Sequence, residues 1–348
     1  MKLKRIHHVE FWVGNARQSA YYYRKAFGFS QRAYRGLETG DRDRASYVLQ
    51  QGKAQIVLTT ALTSEGPIGE HLLRHGDGVR DVAFEVNDAR EAFAEAVEKG
   101  AVAVVEPHEI SDDHGTMWHA AVETYGDTIH SFYSTVDYDG PFLPGYVEMR
   151  IDEPDAGLLG IDHIVGNVFD MNRWAEFYSS IFGMERYITF DDKDISTDYT
   201  ALMSVVMSDE RRVIKFPINE PAQGLKKSQI EEYLDFYQTA GVQHVALLTE
   251  DIRATIRELR ARGVEFLHVP ESYYDDVPSR VGEIAEPLDE LKPLGILIDR
   301  DDEGYLLQLF TQPVEDRPTV FFEIIQRRGA KGFGKGNFKA LFESIERE

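Results

Sequence analysis

Four times along the chain, a short run of apolar residues is followed by an amphipathic stretch of about a dozen residues that ends at a glycine. The runs are HHVEFWV, VAFEV, DHIVGNV and HVALLT. This pattern predicts a strand, a helix and a glycine that ends the helix. Alternating apolar and polar runs come next, as in residues 45–60, and each has a polar break suited to a hairpin. Each unit is therefore predicted to be βαβββ.

The four units fall into two related halves. Residues 6–29 align with residues 161–184 at a shift of 155, and residues 78–107 align with residues 241–270 at a shift of 163. Two such units paired edge to edge would curl their strands into an open barrel-like sheet, with the helices outside and a cleft inside. We therefore expect an α+β fold with two tandem domains, each built from two βαβββ units.

The segment 140–157, GPFLPGYVEMRIDEPDAG, is rich in proline, glycine and acidic residues, and it predicts the boundary between the halves. A cut near residue 153 gives the domains 1–152 and 153–348. Two domains suit a chain of 348 residues, because domains commonly hold about 100 to 200 residues.

Acidic residues outnumber basic residues by 60 to 38, which gives a formal net charge of −22. This charge opposes binding to nucleic acids and to anionic membranes. The chain contains no cysteine, so any metal site must use His, Asp or Glu. The first residues form no apolar signal segment, and no stretch approaches the ~20 apolar residues of a membrane span. We expect a soluble cytoplasmic protein without nucleic-acid or membrane partners.

Differences between the halves indicate where the chemistry takes place. His163 has a counterpart in the first half, whereas His244 aligns with Asp81, and Glu323 lies in a strongly apolar strand. Two imidazoles and one carboxylate on strands that line one cleft match the ligand set of non-haem Fe(II) oxygenases. Zinc stays open because it takes the same ligand types, and so does a glyoxalase-like site with a second acidic ligand. A lone histidine in an apolar strand is more often a core residue. The inference of a metal site therefore depends on the comparison between the two halves of the repeat.

Several other polar residues are expected to have no part in a metal site. His71 and His75 are among the scattered histidines of the first half and are assigned no site. His7 and His8 are neighbours in one strand, so their side chains are expected on opposite faces. Arg327 is expected in a solvated hinge before the helix NFKALFESIERE, which we predict to close over the cleft.

Several motifs of the second half, taken in order, resemble one family. They are GIDHIVGNV, FPINEP, KKSQIEEYL, GVQHVAL, LLQLFTQP, DRPTVFFEIIQR and GFGKGNFKALFESIE. The chain resembles the 4-hydroxyphenylpyruvate dioxygenase family of tandem vicinal-oxygen-chelate proteins, and the first half shares its fold and the HHVEFWV opening. The resemblance implies that the second domain carries the metal, whereas the first is structural and metal-free.

What the resemblance implies about activity is specific. One Fe²⁺ per chain is held by His163, His244 and Glu323. The substrates are 4-hydroxyphenylpyruvate and O2. Oxidative decarboxylation, ring hydroxylation and side-chain migration give homogentisate and CO2, as in tyrosine and phenylalanine catabolism. The resemblance also implies a homo-oligomer, either a dimer or a tetramer.

The family pattern also assigns residues that line the substrate pocket. Neutral amides and a hydroxyl suit the phenol end because they donate or accept hydrogen bonds without adding charge. The matching catalytic positions are Gln229, Gln243, Gln308, Asn219 and Ser204, and the substrate-binding positions are Pro217, Phe310, Phe321 and Phe338.

Three alternative functions stay open on the residues alone. A 4-hydroxymandelate synthase would use the same ligands, fold and substrate, although the FPINEP string favours the dioxygenases. A non-catalytic ligand-binding protein of the same fold would not need the triad. A ring-cleaving extradiol dioxygenase would need a further catalytic histidine, and His268, next to a proline at a strand end, is a weak candidate.

Overall fold

A computed structural model describes residues 1–190, 201–222 and 227–337. It confirms the predicted α+β fold, in which strands form two curled mixed sheets and helices cover their outer faces. Within the described residues, no helix is long and apolar enough to cross a membrane.

The first sheet has nine strands in the order β6-β7-β8-β5-β1-β4-β3-β2-β9. The first half contains β1 (Leu3–Trp12), α1 (Ala16–Phe27), β2 (Ser30–Arg35), β3 (Arg44–Gln51), β4 (Ala54–Ala61), α2 (Pro67–His75), β5 (Gly78–Val86), α3 (Ala89–Glu98), β6 (Ala103–Asp112), β7 (Gly115–Glu123), β8 (Ile129–Thr135) and β9 (Val147–Ile151).

The second sheet has eight strands in the order β11-β12-β13-β10-β14-β17-β16-β15. The second half contains β10 (Leu158–Asn167), α4 (Met171–Phe182), β11 (Glu185–Phe190), β12 (Ala201–Ser208), β13 (Lys215–Ala222), α5 (Gln229–Tyr237), β14 (Gly241–Thr249), α6 (Ile252–Ala261), α7 (Val277–Val281), α8 (Leu288–Leu291), β15 (Leu297–Arg300), β16 (Tyr305–Phe310) and β17 (Phe321–Arg328).

The helices that follow β1 and β10 are capped at both ends. The side chains of Asn15 and Asp170 accept hydrogen bonds from the first turns of α1 and α4. Both helices end at a glycine in the left-handed conformation, Gly28 (φ 74°) and Gly183 (φ 68°). The predicted glycine stops are therefore confirmed at these two helices.

The central strands bulge at equivalent positions in the two halves. The bulges insert Asp162 into β10 and Gln243 into β14, and the first-half counterparts are His7 and Arg80. A bulge turns two successive side chains toward the same side of the sheet. The expectation that His7 and His8 lie on opposite faces is therefore wrong, because their Nδ1 atoms are 2.8 Å apart.

The concave face of the first sheet is filled by the protein itself. Phe142, Leu143 and Tyr146 pack with buried sheet residues such as Tyr133 in a separate hydrophobic cluster. The ring of Phe142 lies edge-on to that of His8, with the centroids 5.1 Å apart. Part of the segment expected to be a linker thus occupies the cleft of the first half.

Candidate metal centre

One face of the second sheet collects most of the predicted site residues. Residues directly opposite each other in paired strands point to the same face, and so do residues two apart in one strand. This face carries Ser204 of β12, Pro217 and Asn219 of β13, His163 and Asn167 of β10, His244 of β14, Phe321 and Glu323 of β17, and Gln308 and Phe310 of β16.

The two histidines and the glutamate meet at the middle of this face. The Nε2 atoms of His163 and His244 lie 3.1 and 3.3 Å from the same carboxylate oxygen of Glu323. All three side chains are buried, and their donor atoms lie within 4.8 Å of one another. Adjacent ligands roughly 2.0–2.2 Å from a common ion stand about 3 Å apart, so the three groups fit one face of a divalent ion.

Each imidazole is oriented by its bulged neighbour. The Nδ1 atom of His163 lies 2.8 Å from a carboxylate oxygen of Asp162, and that of His244 lies 3.1 Å from the amide oxygen of Gln243. Because both oxygens can only accept hydrogen bonds, both Nδ1 atoms carry the proton. The lone pairs of the neutral rings therefore lie on Nε2 and point toward Glu323, as metal binding requires.

Asp162 is itself held by two cations. Arg327 donates two hydrogen bonds to its carboxylate at 2.7 and 2.8 Å, and Lys215 approaches it at 3.0 Å. Arg327 also donates to the main-chain oxygens of Ala330 and Gly332. The expectation that Arg327 lies in a solvated hinge is therefore wrong, because only 14 % of its side chain is exposed.

The pKa values in the centre agree with this charge arrangement. Burial raises the pKa of Glu323, but the neighbouring histidines bring it down to about 2. Burial alone would lower the pKa of His163, but the Glu323 and Asp162 carboxylates raise it. Burial lowers the pKa of His244. An ionised carboxylate thus faces two imidazole nitrogens in a dry site, which is the environment that a divalent cation stabilises.

Aromatic rings border the triad. Phe321 stacks on His244 with the centroids 4.8 Å apart, and Phe310 lies edge-on to the same imidazole at 5.8 Å. Phe333 lies edge-on to His163 at 5.0 Å. The structure therefore places Phe310 and Phe321, the two rings proposed from the sequence to bind substrate, beside the triad, together with Phe333, which was not predicted.

Gln308, one of the predicted site residues, carries a buried side-chain amide. Neither atom of this amide has a hydrogen-bond partner among the described residues. A Cβ atom on Gly334 would lie 2.6 Å from this amide, so the left-handed glycine (φ 77°) leaves space that a side chain would fill. A buried amide without partners is costly, and a bound polar ligand would satisfy it.

Polar residues line the sheet on the other side of the triad. Asn219 pairs with Ser204 across β12 and β13, and its amide donates to Asn167 at 3.3 Å. Pro217 lies two residues before Asn219 on the same face. These predicted residues share the face of the sheet that carries the triad.

Two residues considered from the sequence lie apart from this arrangement. Gln229 is exposed in the first turn of α5. His268 is also exposed, so it does not supply the further catalytic histidine that a ring-cleaving site would need. Phe338 and the predicted closing helix after Asn337 lie outside the described residues.

The first half lacks this ligand set at the equivalent positions. His8 and Asp81 occupy the positions of His163 and His244. The position of Glu323 falls on Ser131, one residue before the Phe84–Phe132 pair of β5 and β8. The main-chain N–H of Ser131 donates to Asp81 at 3.0 Å.

Comparison with known proteins identifies the family. A model of the glyoxalase/bleomycin resistance protein/dioxygenase superfamily matches residues 5–126 and 160–309. The 4-hydroxyphenylpyruvate dioxygenases of Yarrowia lipolytica and Dictyostelium discoideum are 48% and 49% identical to this chain. Both matches cover 98% of the chain, with 91% and 97% of the relatives. The chain belongs to the 4-hydroxyphenylpyruvate dioxygenase family.

A solved structure extends the comparison. A triple mutant of 4-hydroxymandelate synthase from Streptomyces coelicolor superposes with a TM-score of 0.87 at 34% identity, over 100% of this chain and 99% of that one. The chain is thus an enzyme of the dioxygenase family with the vicinal-oxygen-chelate fold. Family membership and the buried His/Glu group together make it a metal-dependent enzyme.

Proposed function

We propose that this enzyme converts 4-hydroxyphenylpyruvate and O2 to homogentisate and CO2, using one Fe²⁺ per chain. The observation that carries the proposal is the buried triad, in which each imidazole presents an unprotonated Nε2 atom toward the Glu323 carboxylate. This ligand set leaves one side of the ion free for substrate and O2. The identity to dioxygenases across nearly the whole chain supports the choice of reaction.

In this proposal, His163, His244 and Glu323 hold the iron. Bound Fe²⁺ would supply a Lewis acid that the keto acid could chelate, and the electrons that activate O2. Asp162 and Gln243 keep the imidazoles in the tautomer that binds metal. The residues of the chain therefore fix the geometry and charge of the centre.

The remaining polar residues are proposed to orient the substrate. Neither amide atom of Gln308 has a hydrogen-bond partner within residues 1–190, 201–222 and 227–337, so the amide can donate to or accept from a phenol. Phe310 and Phe321 provide faces and edges for the substrate ring and exclude water from the triad. Ser204 and Asn219 are proposed to contact the substrate from the opposite side of the cleft.

We also propose a division between residues 1–152, which support the structure, and residues 153–348, which carry the chemistry. The filled cleft of the first half supports this division, because Phe142, Leu143 and Tyr146 occupy the space that a substrate would need. The resemblance to the family further supports a cytoplasmic homo-oligomer, a dimer or tetramer, which light scattering on the purified enzyme would test.

The deciding experiment is product analysis. Enzyme loaded anaerobically with Fe²⁺ receives 4-hydroxyphenylpyruvate and then O2, and chromatography separates homogentisate from 4-hydroxymandelate. We expect homogentisate with equimolar CO2. In Glu323→Gln we expect iron affinity to fall by more than the ~10–100-fold cost of losing an outer-shell partner, with a matching loss of product.

His108→Ala is the matched control, because His108 is exposed on the first sheet. It should retain iron and product formation. Full iron occupancy in Glu323→Gln, or product formation independent of iron, would contradict the proposal.

Synthesis of 4-hydroxymandelate is the second candidate. It is favoured by the TM-score of 0.87 to a mutant of that synthase. The same chromatogram decides between the two reactions, because both consume the same substrates and only the aromatic product differs.

A further inference from the structure

A second group of metal-type ligands lies outside the triad, where the two halves meet. His71 and His75 lie one turn apart on α2, so both side chains point to the same side of the helix. Asp127 follows β7 in the turn that leads to β8. The donor atoms of the three residues lie within 4.8 Å of one another.

The contacts of His75 put two hydrogen-bond acceptors face to face. Its Nδ1 atom lies 2.5 Å from the main-chain oxygen of Tyr237, which can only accept, so Nδ1 carries the proton. In the neutral ring, the lone pair of Nε2 therefore faces the Asp127 carboxylate at 3.3 Å. This contact is favourable only with a cation between the atoms, either a proton on the ring or a metal ion.

His71 favours the metal ion over the proton. Its Nδ1 atom lies 2.7 Å from the same carboxylate oxygen, Oδ2 of Asp127. Its Nε2 atom is buried without a hydrogen-bond partner in the described part of the chain, and so is the hydroxyl of Tyr237. Both atoms border the space that a Cβ on Gly78 would fill, at 3.2 and 2.6 Å. Metal binding at Nδ1 of His71 would place the ring proton on Nε2, next to the Tyr237 hydroxyl, which can accept a hydrogen bond from it.

The surroundings of Asp127 allow a cation to enter. Arg80, the nearby cation, donates to the main-chain oxygen of Asp127 and leaves its carboxylate to the imidazoles. The Asp127 side chain is 26 % exposed, which provides a route from solvent, whereas both histidines are buried.

We propose that His71, His75 and Asp127 form a second metal site, which binds one Zn²⁺. Two imidazoles and one carboxylate are zinc ligands, and a tetrahedral ion would keep one position for water. The role is structural, because Tyr237 ends α5 of the second half and its carbonyl anchors His75 of the first. This proposal departs from the expectation of a metal-free first half, and it does not depend on the proposed reaction.

The experiment counts zinc per chain after equilibrium dialysis of the full-length enzyme against Zn²⁺. We expect two zinc ions in the wild type and in the surface control His108→Ala. One is expected in Asp127→Asn, in His75→Ala and in Glu323→Gln, and none in the Asp127→Asn, Glu323→Gln double variant. Asp127→Asn conserves shape and should still form product, which shows that it is folded.

A second measurement tests the structural role. Zn²⁺ should raise the thermal midpoint of Glu323→Gln, in which only the new site binds, and leave that of the double variant unchanged. One zinc ion in the wild type that disappears in Glu323→Gln would overturn the proposal. So would two zinc ions in Asp127→Asn. If only the triad failed to bind zinc, the wild type would bind one zinc ion, and Asp127→Asn would remove it.

Discussion

Asp81 shows how one residue separates the two halves. It takes the position of His244, is buried, and accepts a hydrogen bond from the Ser131 N–H. Burial raises its pKa to about 7, and Glu10 on the neighbouring strand adds to this effect. A carboxyl group that keeps its proton until about pH 7 must release it to bind a metal ion, which weakens it as a ligand at and below neutral pH.

The raised pKa of Asp81 predicts a pH-dependent stability. The folded state holds this proton up to about pH 7, whereas the unfolded chain releases it near pH 3.8, the ordinary pKa of an aspartate. Unfolding therefore becomes easier as pH rises between these values, by up to about 1.4 kcal/mol per pH unit. Asp81→Asn keeps a side-chain oxygen that accepts from the Ser131 N–H, but it removes this pH dependence of the free energy of unfolding.

We expect Asp81→Asn to gain stability relative to the wild type between pH 4.5 and 7.5, measured by urea unfolding. The exposed Asp113→Asn serves as the control and should follow the wild type. Parallel wild-type and Asp81→Asn curves across this pH range would argue against a protonated Asp81. The facing groups Glu10, Tyr133 and Arg80 are unchanged in both variants.

The sequence suffices to propose the three residues of the triad, but not the neighbouring residues that orient its imidazoles. His163, His244 and Glu323 could be found because the repeat exposes them as a set. Asp162 and Gln243 orient the imidazoles only because each is the extra residue of a bulge, and strict alternation would send them to the other face. The His-x3-His spacing of His71 and His75 on a helix was a usable signal, whereas Asp127 is distant in sequence.

At the scale of elements, the bulge in β10 leads to a second prediction. Asp162→Asn retains an oxygen for His163 but removes the charge that balances Arg327 and Lys215. Loss of an outer-shell partner typically lowers metal affinity by about 10–100-fold. We expect a loss of this size in anaerobic iron titrations, with the wild-type affinity in the exposed control Asp155→Asn. Equal affinities would show that Asp162 only stabilises the strand.

The strand and helix order within the first three units could be predicted from the sequence, whereas α2, β9 and the short helices of the fourth unit could not. Each of the first three units contains a βαβββ pattern that alternates as expected. In the fourth unit, α7 and α8 precede β15, and no periodic pattern marks these short helices. Packing against the sheet, through buried residues such as Val277 and Leu291, decides their conformation.

At the scale of the whole molecule, the halves share one hydrophobic core. Phe11 of β1 packs near Phe322 of β17, with the ring centroids 6.1 Å apart. The His130 Nδ1 atom donates to a main-chain oxygen, so its Nε2 atom accepts from the Tyr178 hydroxyl of the other half at 2.8 Å. The two halves should therefore unfold together.

Tyr178→Phe tests this coupling. It leaves His130 with a buried unpaired nitrogen, which should lower the free energy of unfolding by about 1–3 kcal/mol. In calorimetry we expect one transition at a lower temperature. The control Tyr21→Phe alters a side chain that is mostly exposed and should change stability by less than about 0.5 kcal/mol. Two separate transitions in Tyr178→Phe would mean that the halves fold independently.

The matched bulges carry information about ancestry. Besides His7 with Asp162 and Arg80 with Gln243, the register also shifts at Lys4 and at Leu159, again 155 positions apart. A bulge needs an inserted residue, so point substitutions alone would not create the same three irregularities in each copy. The ancestral half-chain therefore already had them before it was duplicated. The backbone that now orients the metal ligands was inherited by both copies, and divergence of the first copy changed its side chains while retaining that frame.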